Sequence, residues 1–471
     1  MTGSPQRHRP QAVGGARPGF VAHDALLPAF LALALMLGGG GSPAPLPEML
    51  LEWVALATLV VAVWLKPEAT PWPRLALGFA GALLVLPALH LVPLPPDLWR
   101  ALPGREVEAA ALDLVGAGQQ WMPLSVSPSR TLAALLAMVV PAVAVLVAAL
   151  ASPRGRVLGL AALVAMALLS LGVGLVQLAD GPGGALRFYA PSHVEDLTGF
   201  QANRNAAADV LLIGLLALAA LTAGLPARWR STARIAAALG AVLLAGGVIL
   251  TASRMGALLL AAIALTALAT LGVRYRSRLT RSRKLALGGA ALALAAALAW
   301  VVAVGGATGR IAGRFAQGGA EARPEIWHDT LFAIGQVWPW GSGIGTFVPV
   351  FVAAERLEAV DSSYPNRAHN DFLELALEAG LPGVVALLAL SGLLAWRLWI
   401  RLREQRSRED RAQLWFAAAV LTIIALHSIV DYPLRSMALA AAVGAAVGFV
   451  LAAAGQSGGA APPGRVETRL A

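Results

Sequence analysis

Twelve times along this chain the sequence runs apolar for close to the length a helix needs to cross a bilayer, roughly 17–25 residues with its ends. The cores lie at 25–37, 49–65, 75–91, 131–150, 157–178, 206–223, 235–250, 255–273, 285–304, 384–399, 414–430 and 437–451. Lipid offers backbone N–H and C=O groups no partner, so runs of this length fold as helices that satisfy themselves. Composition agrees. The chain is 58% hydrophobic and 13% charged, against about 45–50% and 25% for soluble domains. The expectation is an all-α polytopic membrane protein with about twelve transmembrane helices. The first run is short and ends in four glycines, which leaves a cleaved signal peptide as an alternative.

The charges orient this array. With the N-terminus inside, the inside segments hold 24 of the 36 Lys and Arg but 6 of the 26 Asp and Glu. The inside then carries +18 and the outside −8, and the bias alternates loop by loop, as the positive-inside rule requires. The +10 net charge is therefore read as orientation and not as a nucleic-acid surface. The stretch RYRSRLTRSRK at 274–284 is an inside anchor beside anionic lipid. There are no cysteines, which excludes disulfides, iron–sulfur clusters and Cys-type zinc sites. The expected order is a basic cytosolic tail (1–24), nine helices (25–304), a large outer loop (305–379), three helices (380–454) and a second cytosolic tail (455–471).

Several polar residues are not explained by orientation, and all fall on the outer side. Arg254 in LTASRMG sits between two apolar runs with almost no loop around it. An arginine there is costly unless paired or functional, the alternative being a side chain that snorkels to lipid phosphate. Arg323 opens RPEIW, with Pro324 suited to a first helical turn; a plain surface arginine is the alternative. His369 lies in HNDFLELALEAG. Helical spacing puts Asn370, Asp371, Glu374 and Glu378 on one face and His369 with Phe372 and Leu373 on another. That reading turns His369 toward protein or membrane, at the start of a helix, where a neutral imidazole acts as a general base or serves a structural role. Asn203 and Arg204 lie at the outer end of the sixth run, and Asp431 and Arg435 in the turn between the last two. Ile326, Trp327, Leu331, Phe332, Phe347 and Phe351 read as an amphipathic surface on the membrane face. Gly341–Gly345 reads as a turn or, less readily, a pyrophosphate cradle. Glu321, Glu325 and Asp329 read as a solvated face.

LTASR, RPEIW, WPWGSGIGTF and AHNDFLELALEAGLPG, in this order and with the last three in one outer loop, resemble the O-antigen ligase and O-antigen polymerase superfamily of bacterial inner-membrane glycosyltransferases. ANRN, HSIVDYPL and PLSVSP add to the similarity. The resemblance implies the membrane-embedded C-type glycosyltransferase fold, an inner-membrane location with both termini cytosolic, and a periplasmic outer loop. It implies an undecaprenyl-pyrophosphate-linked glycan donor and a glycan or lipid-linked acceptor, with lipid around both. It implies an inverting reaction with no cofactor, no metal and no nucleic acid. Carried over by motif, His369, Arg323 and Arg254 become the catalytic set, and Asn203, Arg204, Asn370, Asp431 and Arg435 candidate substrate-binding residues. Transfer to a lipid A core, to another lipid-linked repeat and to a protein hydroxyl all remain open.

The competing class is a transporter or flippase of lipid-linked sugars. Such proteins concentrate polar residues near the bilayer midplane, often in inverted repeats. No repeat is visible here, and Asp209 is the one residue of that kind. The orientation is testable because the chain lacks cysteine. In intact spheroplasts an impermeant thiol reagent should label Ser363→Cys and spare Ser282→Cys; the reverse pattern would invert the topology.

Overall fold

The computed structural model describes residues 22–40, 45–66, 71–181, 183–189, 195–226, 230–275, 323–360, 364–404 and 407–452. Within them the chain is almost entirely helical. The helices are α1 (Ala22–Leu37), α2 (Pro45–Leu65), α3 (Arg74–His90), α4 (Pro96–Trp99), α5 (Glu106–Leu114), α6 (Pro128–Ala137), α7 (Val139–Leu150), α8 (Pro153–Asp180), α9 (Arg204–Gly224), α10 (Arg230–Leu250) and α11 (Arg254–Tyr275). They continue with α12 (Arg323–Val337), α13 (Phe347–Ala354), α14 (Asp371–Arg403), α15 (Arg408–His427) and α16 (Met437–Leu451). Eleven of the twelve apolar runs coincide with these helices. The run at 285–304, most of the basic stretch before it, both tails and the first part of the outer loop lie outside the described residues.

Six helical segments among the described residues are long and apolar enough to cross a membrane: Leu46–Leu65, Pro128–Leu150, Pro153–Asp180, Arg204–Gly224, Ala233–Leu250 and Asp371–Arg403. Shorter apolar helices at Ala22–Leu37, Arg74–His90, Arg254–Thr270 and Met437–Leu451 complete the bundle. The protein is thus an all-α, multi-span membrane protein.

The bundle is organised around α16. Every residue of this helix except Val443 is buried. Its sequence MALAAAVGAAVGFVL is small-residue rich on all sides, and that lets neighbours approach closely. A Cβ on Gly444 would stand 2.7 Å from Pro141 O, and one on Gly448 2.5 Å from Val145 O. The helix therefore meets α7 backbone to backbone, the small-xxx-small contact that replaces hydrophobic drive in lipid. Its C-terminal carbonyls are capped from the side: the buried Arg401 on α14 donates to the carbonyls of Phe449, Val450 and Ala452. A cation there also suits the negative end of the helix dipole.

The two ends of the bundle differ in chemistry. At one end lie Asp24, which accepts a hydrogen bond from Ser152, and Arg401. At the other lie the starts of α9, α11 and α14, the turn between α15 and α16, and a small outer layer. There, Pro93–Leu94 and Met122–Pro123 pair as a short antiparallel ladder. Ile326, Ala333, Val337, Phe347, Phe351, Ala368 and Leu377 form a separate apolar cluster. This layer corrects the single amphipathic surface expected above. Phe347 and Phe351 stack on each other at 5.1 Å and are buried on their own helix α13. On α12, Ile326 faces inward while Leu331 and Phe332 point out. A turn containing a proline and three glycines separates α12 from α13, so the six apolar residues never share one helix face.

That turn is a packing device. Gly341, Gly343 and Gly345 all have positive φ, of 79°, 108° and 90°. A Cβ at Gly341 would meet Glu378 O at 2.6 Å, and one at Gly345 would meet Arg130 O at 2.7 Å. The run binds protein backbone: Ser342 N donates to Leu377 O and Gly343 N to Glu378 O. It seats against the kink of α14, where Gly380 has φ 57° and ψ −153°. α14 itself begins at Asp371, inside the stretch assigned to the loop, because Asn370 caps it.

The close α16–α7 contact predicts a steric penalty. Gly448→Val should destabilise the protein by about 1–3 kcal/mol, the usual cost of overpacking. Gly78→Val, where a Cβ would meet nothing within 4 Å, should be near neutral. Thermal unfolding in detergent compares the two, and equal Tm values would refute the contact.

Candidate functional site

The outer ends of α9, α11 and α14 and the α15–α16 turn converge on Asp431. This carboxylate is 3% exposed. Its Oδ1 lies 3.1 Å from His369 Nδ1, and its Oδ2 accepts from the Asn205 side-chain amide. Asn205 Oδ1 in turn accepts from Ser253 Oγ at 2.7 Å. Ser253 caps α11 through Gly256 N at 3.1 Å, and Arg254 is the first residue of that helix. One chain of hydrogen bonds therefore runs from His369 through Asp431, Asn205 and Ser253 to the residue before Arg254. It joins elements that are far apart in sequence.

Electrostatics fix the state of the central carboxylate. Burial alone would raise the Asp431 pKa; the hydrogen bond from His369 and the charges of His427, His369 and Arg323 outweigh it and hold the group below its usual value. An ionised Asp431 only accepts, so the proton of the 3.1 Å contact sits on His369 Nδ1. Whenever that ring is neutral, Nε2 is its basic nitrogen. The Arg323 charge reaching Asp431 brings the second candidate arginine into the same field. Tyr432 completes the setting: its ring packs edge-on against His369 at 5.0 Å, and its hydroxyl accepts from Asn203 Nδ2 at 3.4 Å.

Backbone strain is concentrated here. Among the described residues, Ala252 (φ 51°) and His369 (φ 50°) are the two non-glycine positions with positive φ. Such residues cost of order 1–3 kcal/mol and persist where surrounding structure over-determines them. One lies two residues before Arg254, and the other is the histidine. His369 thus stands outside α14, one residue ahead of its N-cap Asn370, whose Oδ1 accepts from Phe372 N and Leu373 N.

This placement corrects the orientation read from helical spacing. The acidic face of α14 is the buried one, with Glu374 and Glu378 at 0% exposure, while Phe372 is 39% exposed. The reason is cationic partners from other elements. Arg435 lies 2.8 Å from Glu378 and 3.2 Å from Glu374, and Arg367 3.0 Å from Glu374. Paired and hydrogen-bonded charges are buried where lone ones are not. Arg435, expected at the substrate, is placed in this ion-pair cluster. Asp329 differs from the expected solvated stripe too: it is 1% exposed and held by Arg356 at 2.6 Å.

The remaining predicted residues are distributed as follows. Asn203 caps α9, its Oδ1 accepting from Asn205 N at 2.8 Å. Arg204 is bound to the buried Asp196 at 2.8 Å. Asp209, the one residue that suggested a transporter, forms a fully buried pair with His427 at 2.7 Å. Asn203, Asp209, Asp431, Tyr432 and Ser436 line a small cavity beneath the site. Sequence reading missed Asn205 and Ser253 as linkers and Tyr432 as the ring partner of the histidine. Each stands next to a singled-out residue, Asn205 after Arg204, Ser253 before Arg254 and Tyr432 after Asp431, and that adjacency was the available signal.

A comparison with curated proteins finds no match. A comparison with family descriptions does: residues 239–388 match the O-antigen ligase family, Wzy_C. The matched stretch contains Arg254, Arg323 and His369 and the helices that carry them. It implies a glycosyltransferase-like activity on lipid-linked glycan in the membrane. Residues 239–388 thus carry an O-antigen ligase domain, and this match supports the resemblance to the O-antigen ligase and polymerase superfamily.

Proposed function

We propose that the protein transfers glycan from an undecaprenyl-pyrophosphate donor to a sugar hydroxyl at the outer face of the bacterial inner membrane, as a ligase or polymerase of a surface polysaccharide. The observation that carries this reading is the His369–Asp431–Asn205–Ser253 chain ending beside Arg254. It provides a base with a defined tautomer next to a cation suited to a phosphate leaving group.

The chemistry follows from these groups. The acceptor hydroxyl attacks the anomeric carbon and gives its proton to His369 Nε2. The new C–O bond forms as the bond from that carbon to the pyrophosphate oxygen breaks, and the electron pair leaves with the lipid pyrophosphate. Asp431 holds the ring through Nδ1–H and stabilises the imidazolium as it forms, the role of the acid in a Ser–His–Asp triad. Arg254 and Arg323 present fork-shaped donors to the growing negative charge. A single displacement inverts the anomeric centre. Nothing in this sequence of steps requires a metal or a nucleotide. Asn203 and Tyr432 line a cavity together with Asp431, and in this reading they contribute to acceptor binding.

Loss of the base should cost turnover and not folding. His369→Ala should lower kcat by about 10²–10⁴, the usual scale for a general base, while the protein still folds, with a detergent-phase Tm lowered only modestly by the lost Asp431 hydrogen bond. Asp431→Asn should fall within about tenfold of His369→Ala, since an amide does not fix the tautomer. Purified protein, lipid-linked donor and acceptor suffice for the assay. Normal transfer by His369→Ala would remove the base, and loss of wild-type activity on chelation would replace it with a metal ligand.

Arg254→Lys separates a lipid anchor from a pyrophosphate clamp. Lysine keeps the charge and loses the fork, so a clamp predicts a drop on the order of tenfold or more. Full activity in the lysine variant would take Arg254 out of the site.

A further inference from the structure

His369 is held in a left-handed conformation that its own side chain does not favour, so something outside must impose it. The preceding residue, Ala368, is fully buried, and side chains grip both of its peptide groups. Ala368 N donates to Glu374 Oε2 at 3.1 Å, and Ala368 O accepts from Trp327 Nε1 at 3.0 Å. On the far side of the histidine, Asp371 N donates to Ser428 O at 3.0 Å. The backbone is thus pinned before and after its strained residue.

The origin of the Trp327 bond matters most. Trp327 stands on α12 four residues after Arg323, and residues at i and i+4 share a helix face. Its indole N–H therefore ties the helix that presents Arg323 to the peptide that presents His369. Ile326, Ala333, Val337 and Ala368 pack in one apolar cluster, which carries this helix against the same segment without fixing its register. A hydrogen bond is directional, and here it spans 41 residues of sequence.

We propose that Trp327 is a positioning residue for glycan transfer, its indole N–H holding Ala368 so that His369 stays in register with Arg323. The inference rests on His369 being the base, as proposed above. Reacting groups displaced by about 1 Å lose about 10²-fold in rate, so a bond that sets this separation acts on turnover. Donor binding, carried by the arginines, depends on it little.

Trp327→Phe removes the donor and keeps an aromatic ring. The expected result is a kcat lowered about 10- to 100-fold, with KM for the lipid-linked donor within about twofold of wild type, the scatter allowed when binding energy is untouched. Phe351→Leu is the structural control. It loosens the same apolar cluster without touching Ala368, and should lower Tm more than it lowers kcat. In a His369→Ala background Trp327→Phe should change the residual rate little, because its effect passes through the histidine. A wild-type kcat in Trp327→Phe, an equal loss in Phe351→Leu, or a further full loss in the His369→Ala background would overturn the assignment. Full activity of His369→Ala itself would sink the proposed base, a distinct result that leaves the bond without a catalytic group to position.

Discussion

The half of the structure that carries His369 depends on burying charge inside the protein. Glu374 and Glu378 are wholly inside the protein, and Arg435 enters between them with contacts at 3.2 and 2.8 Å. Removing one member of such a set leaves an uncompensated buried charge, a cost of about 3–5 kcal/mol. The same carboxylates hold other parts of the site. Glu374 binds Arg367 and Ala368 N, and Glu378 accepts from Phe347 N. Segments from α13, the loop before α14 and the α15–α16 turn are thereby fastened to a single helix turn. The strained histidine is affordable because its neighbours are fixed in this way.

Much of the architecture was legible. Eleven apolar runs became helices because lipid enforces backbone self-satisfaction on any run of sufficient length. Their ends were less legible. The tenth run was placed at 384–399, yet α14 starts at Asp371 and continues through Gly380 and Pro382. Glycine and proline in sequence ordinarily end a helix. Here the glycine run at Gly341–Gly345 packs into the kink and supplies its missing partners, as when Leu381 N donates to Pro339 O. Periodicity along one segment holds no information about a turn arriving from 40 residues away.

The site divides the same way. Motif order located His369, Arg323 and Arg254, and the structure gathers two of them around Asp431: His369 by a hydrogen bond and Arg323 through its charge. What sequence could not supply was pairing. His369 and Asp431 are 62 residues apart, and Asn205 and Asp431 are 226 apart. The orientation of α14 was misread for a related reason. Carboxylates on one stripe read as solvated until the positions of Arg435 and Arg367 are known. Asp209, read as a possible midplane charge, is paired with His427, which lies 218 residues away.

The position of α16 has a consequence for assembly. This helix follows α1 to α15 in the chain, yet it fills the centre of the bundle and closes on α7 through bare glycine backbone. During synthesis the earlier helices must enter the bilayer and wait with an empty slot in their midst, its walls lined by Val140, Val143, Ala144 and Val147. Asp431 and Arg435 stand directly ahead of α16 and are carried in with it. The Asp431–His369 contact and the buried ion-pair cluster are therefore completed in the same late step that seals the bundle. A nascent chain that has not finished inserting thus also lacks the contact between Asp431 and His369.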